Sequence, residues 1–407
     1  MKNKKKIFRI IIVSSIMLNG YDNSFNTGNI SCGSERKDLT YNYCYDSIPK
    51  YPDLFYEYRI TELNKLTPIE LDYNETVRTY IENYAVKRRD EFARIIGLSE
   101  LYFPIFDNML DKYDLPLELK YLTIVESSLN TNAKSKSGAV GLWQFLLNTC
   151  RLFDLEVNSY IDERRDPYKS TDAACRYLKY LYNTFNDWQL VLSSYNGGPG
   201  DIRKAVERSN GRTDYWEIRP FLSEQAKDYV PAFIASFYLM NHFEEHNIVP
   251  VASKFNFNNI DTLWINYPVS FNQISNITEI STAELRFLNP VYIRDFIPDL
   301  NKPALLVLPK EKIQIYLKNE SRIIGKADDI ADYNFLVNNA GSTENKIKII
   351  HVVQKGEFFH KIALKYNCTL ENIKAWNNLT DNFLYPGQEL IIWIDANSGD
   401  RDNQPLH

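Results

Sequence analysis

Ile124-Val125-Glu126-Ser127-Ser128, followed by Ser135, Gly138 and then Gly141-Leu142-Trp143-Gln144-Phe145, is the stretch on which the reading of this chain turns. The apolar run from Tyr121 to Val125 reads as a helix face buried in a core, and Glu126 stands at its end. Burial disfavours the ionised form, so a Glu in that place can hold a proton near neutrality and donate it. Acid-catalysed cleavage of a glycosidic bond needs such a group. The small residues downstream (Ser135, Ser137, Gly138, Ala139, Gly141) let backbone approach a ligand closely. A Glu at a helix end is more often a cap or a surface charge. The assignment therefore rests on what surrounds it.

Counted from Glu126, Ser135 lies at +9, Gly138 at +12, Gly141 at +15 and Gln144 at +18. A second block reads Ser194-Tyr195-Asn196-Gly197-Gly198-Pro199-Gly200, and a third reads Glu224-Gln225 followed by Tyr229-Val230-Pro231. These three blocks, in this order over roughly Tyr73 to Glu245, resemble the catalytic domain of the lytic transglycosylases, most closely the membrane-bound D type. Thr131, Leu146-Leu147 and Gln225 depart from the family pattern, and none of them touches the acid.

The resemblance implies a mostly α, lysozyme-like domain that cuts bacterial peptidoglycan, with Glu126 as its catalytic residue. It implies that Tyr195 lies near Glu126 with its hydroxyl orienting the carboxyl group, against the plainer reading of a core tyrosine before a turn. Asn196, Gln144 and Ser135 are the further substrate-binding candidates, suited to acetamido or glycan groups. In a second tier, Ser127 holds the local backbone, Trp143 stacks on sugar or fills the core, and Glu224 is structural or peripheral. Tyr229, in the third block, completes that tier.

Most glycosidases pair two carboxylates, whereas these blocks hold one. The resemblance supplies a chemistry that needs only one. Glu126 protonates the leaving oxygen, the sugar's own N-acetyl group stabilises the cation, and the ionised Glu126 then draws a proton from the muramic 6-hydroxyl. A 1,6-anhydro ring closes and no water is consumed. Two other readings stay open: hydrolysis on the same fold, as in goose-type lysozyme, and a non-catalytic peptidoglycan-binding protein.

The 407 residues allow two or three domains, and 44% hydrophobic content with 14% aromatic argues for folded protein. A net charge of −5 gives no case for nucleic acid as a partner. Lys2, Lys4, Lys5 and Lys6 ahead of the interrupted apolar run Ile7–Leu18 fit an export signal. Tyr21 stands where an acylated cysteine would be, so lipoprotein processing is not expected. Export points to the periplasm, with outer-membrane or cell-wall association. Of five cysteines, Cys32 and Cys44 can pair, and neither cysteine nor histidine spacing suggests a metal site or a cofactor.

Composition and pattern divide the chain into a signal (1–28), an N-terminal linker (29–72) and the helical catalytic domain (73–247), with polar connections beyond it. Asn74 is placed as an N-cap, Ser170 or Thr171 as another, and Pro116 in the first turn of the Glu126 helix. Downstream, Phe271, Ile274, Ser281, Leu285, Leu288 and Asn289 recur as Phe359, Ile362, Thr369, Ile373, Trp376 and Asn377, every pair offset by 88. Apolar strands flank each copy, predicting two small α+β (βααβ) units at 257–310 and 349–395. A linker at 326–346 separates them, and a polar tail fills 396–407. The second copy resembles a LysM module, which binds GlcNAc-containing polymer. The resemblance implies Gly356, Glu357, Asn377, Pro386 and Gly387 as its glycan-binding residues. The first copy lacks both glycine turns and resembles LysM in degenerate form.

Overall fold

The computed structural model describes residues 41–299, 302–324 and 346–395, except positions 42, 45–46, 355–356, 358, 367, 369, 378, 380–383 and 385–386. The signal, Cys32, the stretch 326–345, Gly356, Pro386 and the tail lie outside these residues.

Helices dominate residues 53 to 242: α1 (Asp53–Asn64), α2 (Glu75–Glu82), α3 (Arg89–Lys112), α4 (Leu122–Ser127), α5 (Leu147–Leu152), α6 (Pro167–Phe185), α7 (Trp188–Gly197), α8 (Pro199–Arg208), α9 (Tyr215–Ile218) and α10 (Glu224–His242). Helix α1 falls where a linker was expected. Tyr56, Ile60 and Leu63, at i, i+4 and i+7, are buried in the same core as the later helices. Upstream of it, the Tyr51 hydroxyl donates to the Glu245 carbonyl at 2.6 Å, and Asn247 Nδ2 donates to the Ser47 carbonyl at 2.8 Å. Cys44 is disulfide-bonded, while Cys150, Cys175 and Cys368 are thiols.

Asn74 caps α2 through the Val77 amide (3.0 Å). The cap of α6 is Asp166, which accepts from the Tyr168 and Lys169 amides (2.8 and 2.9 Å), with Pro167 in the first turn. Ser170 and Thr171 sit one turn too late to cap, and return their hydroxyls to the Asp166 and Pro167 carbonyls.

Two prolines inside helices are compensated from outside. Pro231 in the central helix α10 has no N–H for the Lys227 carbonyl, and that oxygen instead accepts from the Tyr215 hydroxyl (2.6 Å) and Arg219 Nε (2.9 Å). Pro104 in α3 likewise frees the Glu100 carbonyl, which the Phe257 amide takes at 3.3 Å. The second repair draws in the chain that leads to the next unit.

That unit pairs β1 (Ile260–Ile265) antiparallel with β4 (Ala304–Pro309), with β2 (Val269–Ser270), α11 (Phe271–Thr278), α12 (Thr282–Leu288) and β3 (Phe296–Ile297) between them. It runs past the expected end at 310. Helices α13 (Lys310–Lys318) and α14 (Glu320–Ile324) follow, burying Tyr316 and Ile323 in its core. The last unit pairs β5 (Lys346–Val352) with β6 (Glu389–Asp395) around α15 (Phe359–Lys365) and α16 (Leu370–Asn377). The 88-residue repeat is a repeat of core. Phe271, Ile274 and Leu285 are buried in one unit, and Phe359, Ile362 and Ile373 are buried in the other.

Candidate active site

Helix α4 is short, and its ends are defined. Pro116 does not open it but precedes a 3₁₀ turn, Leu117–Tyr121, which hands over to α4 at Leu122. Leu122, Thr123 and Ile124 face the core. Ser128 (φ 52°) and Leu129 (φ 60°) then take left-handed backbone and turn the chain away immediately beyond Glu126. The Ser127 hydroxyl lies between the Thr123 carbonyl (2.9 Å) and the Leu142 carbonyl (3.0 Å), so it ties the helix end to the following loop.

Glu126 is partly exposed, but burial dominates the environment of its carboxyl group and pushes its pKa up to about 7. The Tyr229 hydroxyl, from α10, donates to Glu126 Oε1 at 2.5 Å and opposes that rise by favouring the ionised form. Among the described residues, burial and this hydroxyl are what shift Glu126, and no second ionised group does. Tyr195 and Tyr229 are themselves raised well above the usual tyrosine range, first by burial and then by the Glu126 charge.

Tyr195 does not orient the carboxyl group as expected. Its hydroxyl donates to the Trp143 carbonyl at 2.9 Å and so holds the loop that follows α4. The orienting hydroxyl is that of Tyr229, which the sequence reading left in the second tier. Pro231 in Tyr229-Val230-Pro231 signals only that the freed Lys227 carbonyl needs outside partners, which are Tyr215 and Arg219; nothing in that triplet points to Glu126.

The remaining candidates are mostly engaged by their own loop. Gly141 (φ 91°) packs so closely that a Cβ there would lie 1.9 Å from the Arg164 carbonyl oxygen. Gln144 (φ 49°) donates Nε2 to the Gly141 and Ala133 carbonyls (2.8 and 3.2 Å), and the Ser135 hydroxyl accepts from the Ala139 amide (3.0 Å). These side chains shape the loop before they can meet substrate. Asn196 is exposed at the end of α7. Trp143 is a core residue and not a stacking platform: it is fully buried, and its indole N–H donates to Thr171 Oγ1 at 2.9 Å. Glu224 is exposed and paired with Lys227 at 2.6 Å, away from the carboxyl. Thr131, one of the departures, is buried and hydrogen-bonded to Tyr102.

A second carboxylate, Glu91 of α3, meets the other side of the same turn. It accepts both Arg88 Nε and Nη2 (2.7 Å each) and the Ser128 hydroxyl (2.6 Å). The Arg88 hydrogen bonds lead in holding its carboxyl down to about 2.

In the last unit, Asn377 is a structural pin and not a free glycan contact. Its Nδ2 donates to the Ile373 and Ile391 carbonyls and its Oδ1 accepts from the Ile391 amide (2.7 Å). Asn289 does the same for α12 and β4 through Leu285 and Val307. Glu357 accepts from the Gln354 amide and lies 2.8 Å from His351 Nε2. Gly387 turns with φ 89°, and its amide donates to the Val353 carbonyl.

A cavity of about 800 Å³ lies elsewhere, between the helical body and the first small unit, with Tyr102, Tyr168, Phe257 and Trp264 in its wall. Neither Glu126 nor Tyr229 lines it. Among the described residues, no cluster of His, Cys, Asp and Glu is arranged to hold a metal ion, and no helix is long and apolar enough to cross a membrane.

Comparison with known families identifies three segments: a transglycosylase SLT domain at residues 103–218, a lytic transglycosylase MltD LysM-like domain at 259–324, and a LysM domain at 351–393. The chain is 24% identical over 324 residues to membrane-bound lytic murein transglycosylase D of Escherichia coli K12, covering 78% of this chain and 69% of that protein. It is 31% identical over 118 residues to the soluble lytic murein transglycosylase of the same organism, covering 27% of this chain and 18% of that one. The solved 70 kDa soluble lytic transglycosylase of E. coli aligns with 37% of this chain and 26% of its own, at 24% identity and a TM-score of 0.31. Glu126, Gln144 and Tyr195 fall inside the matched SLT segment, and Tyr229 falls beyond it.

Proposed function

We propose that this chain, a homologue of the membrane-bound lytic transglycosylase D proteins with an SLT domain and two LysM-type modules, uses Glu126 as acid and then base to cleave peptidoglycan. The bond cut is the β-1,4 link from MurNAc to GlcNAc. The observation that carries this reading is the Glu126 carboxyl group raised to about 7 by burial, with no second ionised group acting on it among the described residues. At neutral pH its protonated and ionised forms coexist, so one group can give a proton and later take one.

Tyr229 occupies Oε1, which leaves Oε2 to carry the proton to the leaving glycosidic oxygen. As the C1–O bond breaks, the substrate's N-acetyl group stabilises the cationic carbon. The ionised Glu126 then accepts the proton of the muramic 6-hydroxyl, whose oxygen attacks C1 and closes the 1,6-anhydro ring. Among the described residues no second carboxylate acts on Glu126, which favours this route over one in which a base activates water.

The C-terminal LysM domain holds the enzyme on GlcNAc-containing strands, with Glu357 and Gly387 among the contributing residues. The basic and apolar N-terminus directs export to the periplasm, and the disulfide at Cys44 fits an oxidising compartment. Mass spectrometry of products from purified peptidoglycan tests the reaction. Anhydro-muropeptides that vanish with Glu126→Gln are expected. Products heavier by one water would make the enzyme a hydrolase, and retention on sacculi without cleavage would make it a binding protein.

A further inference from the structure

The first LysM-type module touches the catalytic body along residues 156–166, and that strip has two working faces. Outward, it pairs with the module: Ile161 bridges to Tyr292, the Asp162 amide donates to the Val291 carbonyl (2.9 Å), and the Ile293 amide donates to the Tyr160 carbonyl (2.9 Å). Ile161 is buried within the module's own hydrophobic core although it belongs to the catalytic sequence. Lys302 of the module adds an ion pair to Glu156 at 3.0 Å.

Inward, the same strip supports the loop that follows Glu126. Asp162 and Arg164 form a buried ion pair at 2.8 Å, which fixes the guanidinium. Arg164 Nη1 then reaches the Gly138 carbonyl (3.2 Å) and the Phe145 carbonyl (3.3 Å), while Arg165 Nη1 donates to Asn132 Oδ1 (2.9 Å). Gly141 packs directly on the Arg164 backbone. The loop held in this way carries Gln144, and the Trp143 carbonyl within it anchors Tyr195.

We infer that the first LysM-type module acts through residues 160–165 as a positioning element for the active-site loop 138–145, and not as a detachable sugar-binding tether. Arg164 is the positioning residue, since it joins the buried Asp162 to two carbonyls on opposite sides of that loop. The strip also forms part of the wall of the 800 Å³ cavity in the seam, through Ile161, Glu163 and Asp166, opposite Val291 and Tyr292 of the module. The rate effect rests on the transglycosylase reading above; the mechanical coupling does not.

The test uses the full chain and two variants, Ile161→Ala, which removes the side chain lodged in the module, and Ile293→Pro, which removes the amide donor to the Tyr160 carbonyl. Ile362→Ala in the last module is the control, since it makes a similar void with no link to the strip. Hydrogen exchange is read at the Val140, Gly141 and Phe145 amides, which donate to the Phe145, Ala133 and Val140 carbonyls. Exchange there should rise by about tenfold in both variants, and stay unchanged in the control. On a short soluble glycan, kcat should fall by about tenfold with KM nearly constant, because the loop orients the reacting ring. Loosening confined to the module, with the loop amides and kcat at wild-type values, would overturn the inference. Should no variant and no wild type cleave, the exchange result alone still decides the coupling.

Discussion

Glu91 and Glu126 approach one turn of backbone from opposite sides, and they end with opposite chemistry. Glu91 is held by both arms of Arg88 and by the Ser128 hydroxyl, and its carboxyl is kept at about 2. Glu126, two residues before Ser128, has one tyrosine hydroxyl and a largely apolar surrounding, and is raised to about 7. The residue type is the same, and the difference comes from a cation supplied to one and withheld from the other. A permanently ionised Glu cannot donate a proton at neutral pH. A desolvated one with a single donor can.

The largest effect expected from breaking this contrast is that of Glu126→Gln. It should fold normally and lose about a thousandfold in turnover, since both proton steps use one group. Activity above about a tenth of wild type in a purified-peptidoglycan assay would remove the assignment. Tyr229→Phe should cost about tenfold and move the alkaline limb of the pH–rate profile above its wild-type position near 7. The sign follows from the bond: the hydroxyl favours the ionised carboxylate, so its loss raises the pKa further. Tyr195→Phe should cost only about threefold, because its hydroxyl supports the Trp143 carbonyl and does not meet the acid.

A stability comparison against pH sharpens the contrast further. Glu126 binds its proton more tightly folded than unfolded, where the ordinary glutamate value of 4.5 applies. Native stability should therefore fall as pH rises from about 4.5 to about 7, by at most roughly 3 kcal/mol, and Glu126→Gln should abolish that slope. Glu91 has the opposite sign: its contribution is present above 4.5 and is lost as pH falls towards about 2. Both members of its ion pair are about a third exposed or more, so the Glu91 term should stay below about 1 kcal/mol. Equal slopes for Glu126→Gln and Glu91→Gln would contradict the separation of roles.

Much of this was legible in the sequence where local chemistry decides the outcome. The apolar run before Glu126, the Asn74 cap and the 88-residue core repeat all depend on near neighbours or on pattern. What was not legible depends on which distant element fills a vacancy. Tyr229 rather than Tyr195 reaches the acid because α10 crosses beside α4 with its Pro231 gap closed by Tyr215 and Arg219. Asn377 recurs because an amide must join helix to strand in each module, a structural demand that resembles a binding signature when read along one copy. The helix at Asp53–Asn64 did carry a signal, in Tyr56, Ile60 and Leu63. The polar residues between them obscured it.

The central claim is that Glu126 keeps its proton up to near neutrality, and infrared difference spectroscopy of the carboxyl C=O stretch tests it most directly. The wild type is compared with Glu126→Gln from pH 4 to pH 9. The account predicts one protonated-carboxyl band that titrates near 7 and is absent from the variant. If every carboxyl band that distinguishes the two proteins is gone by about pH 5, Glu126 is an ordinary carboxylate, and the acid–base role assigned to it is wrong.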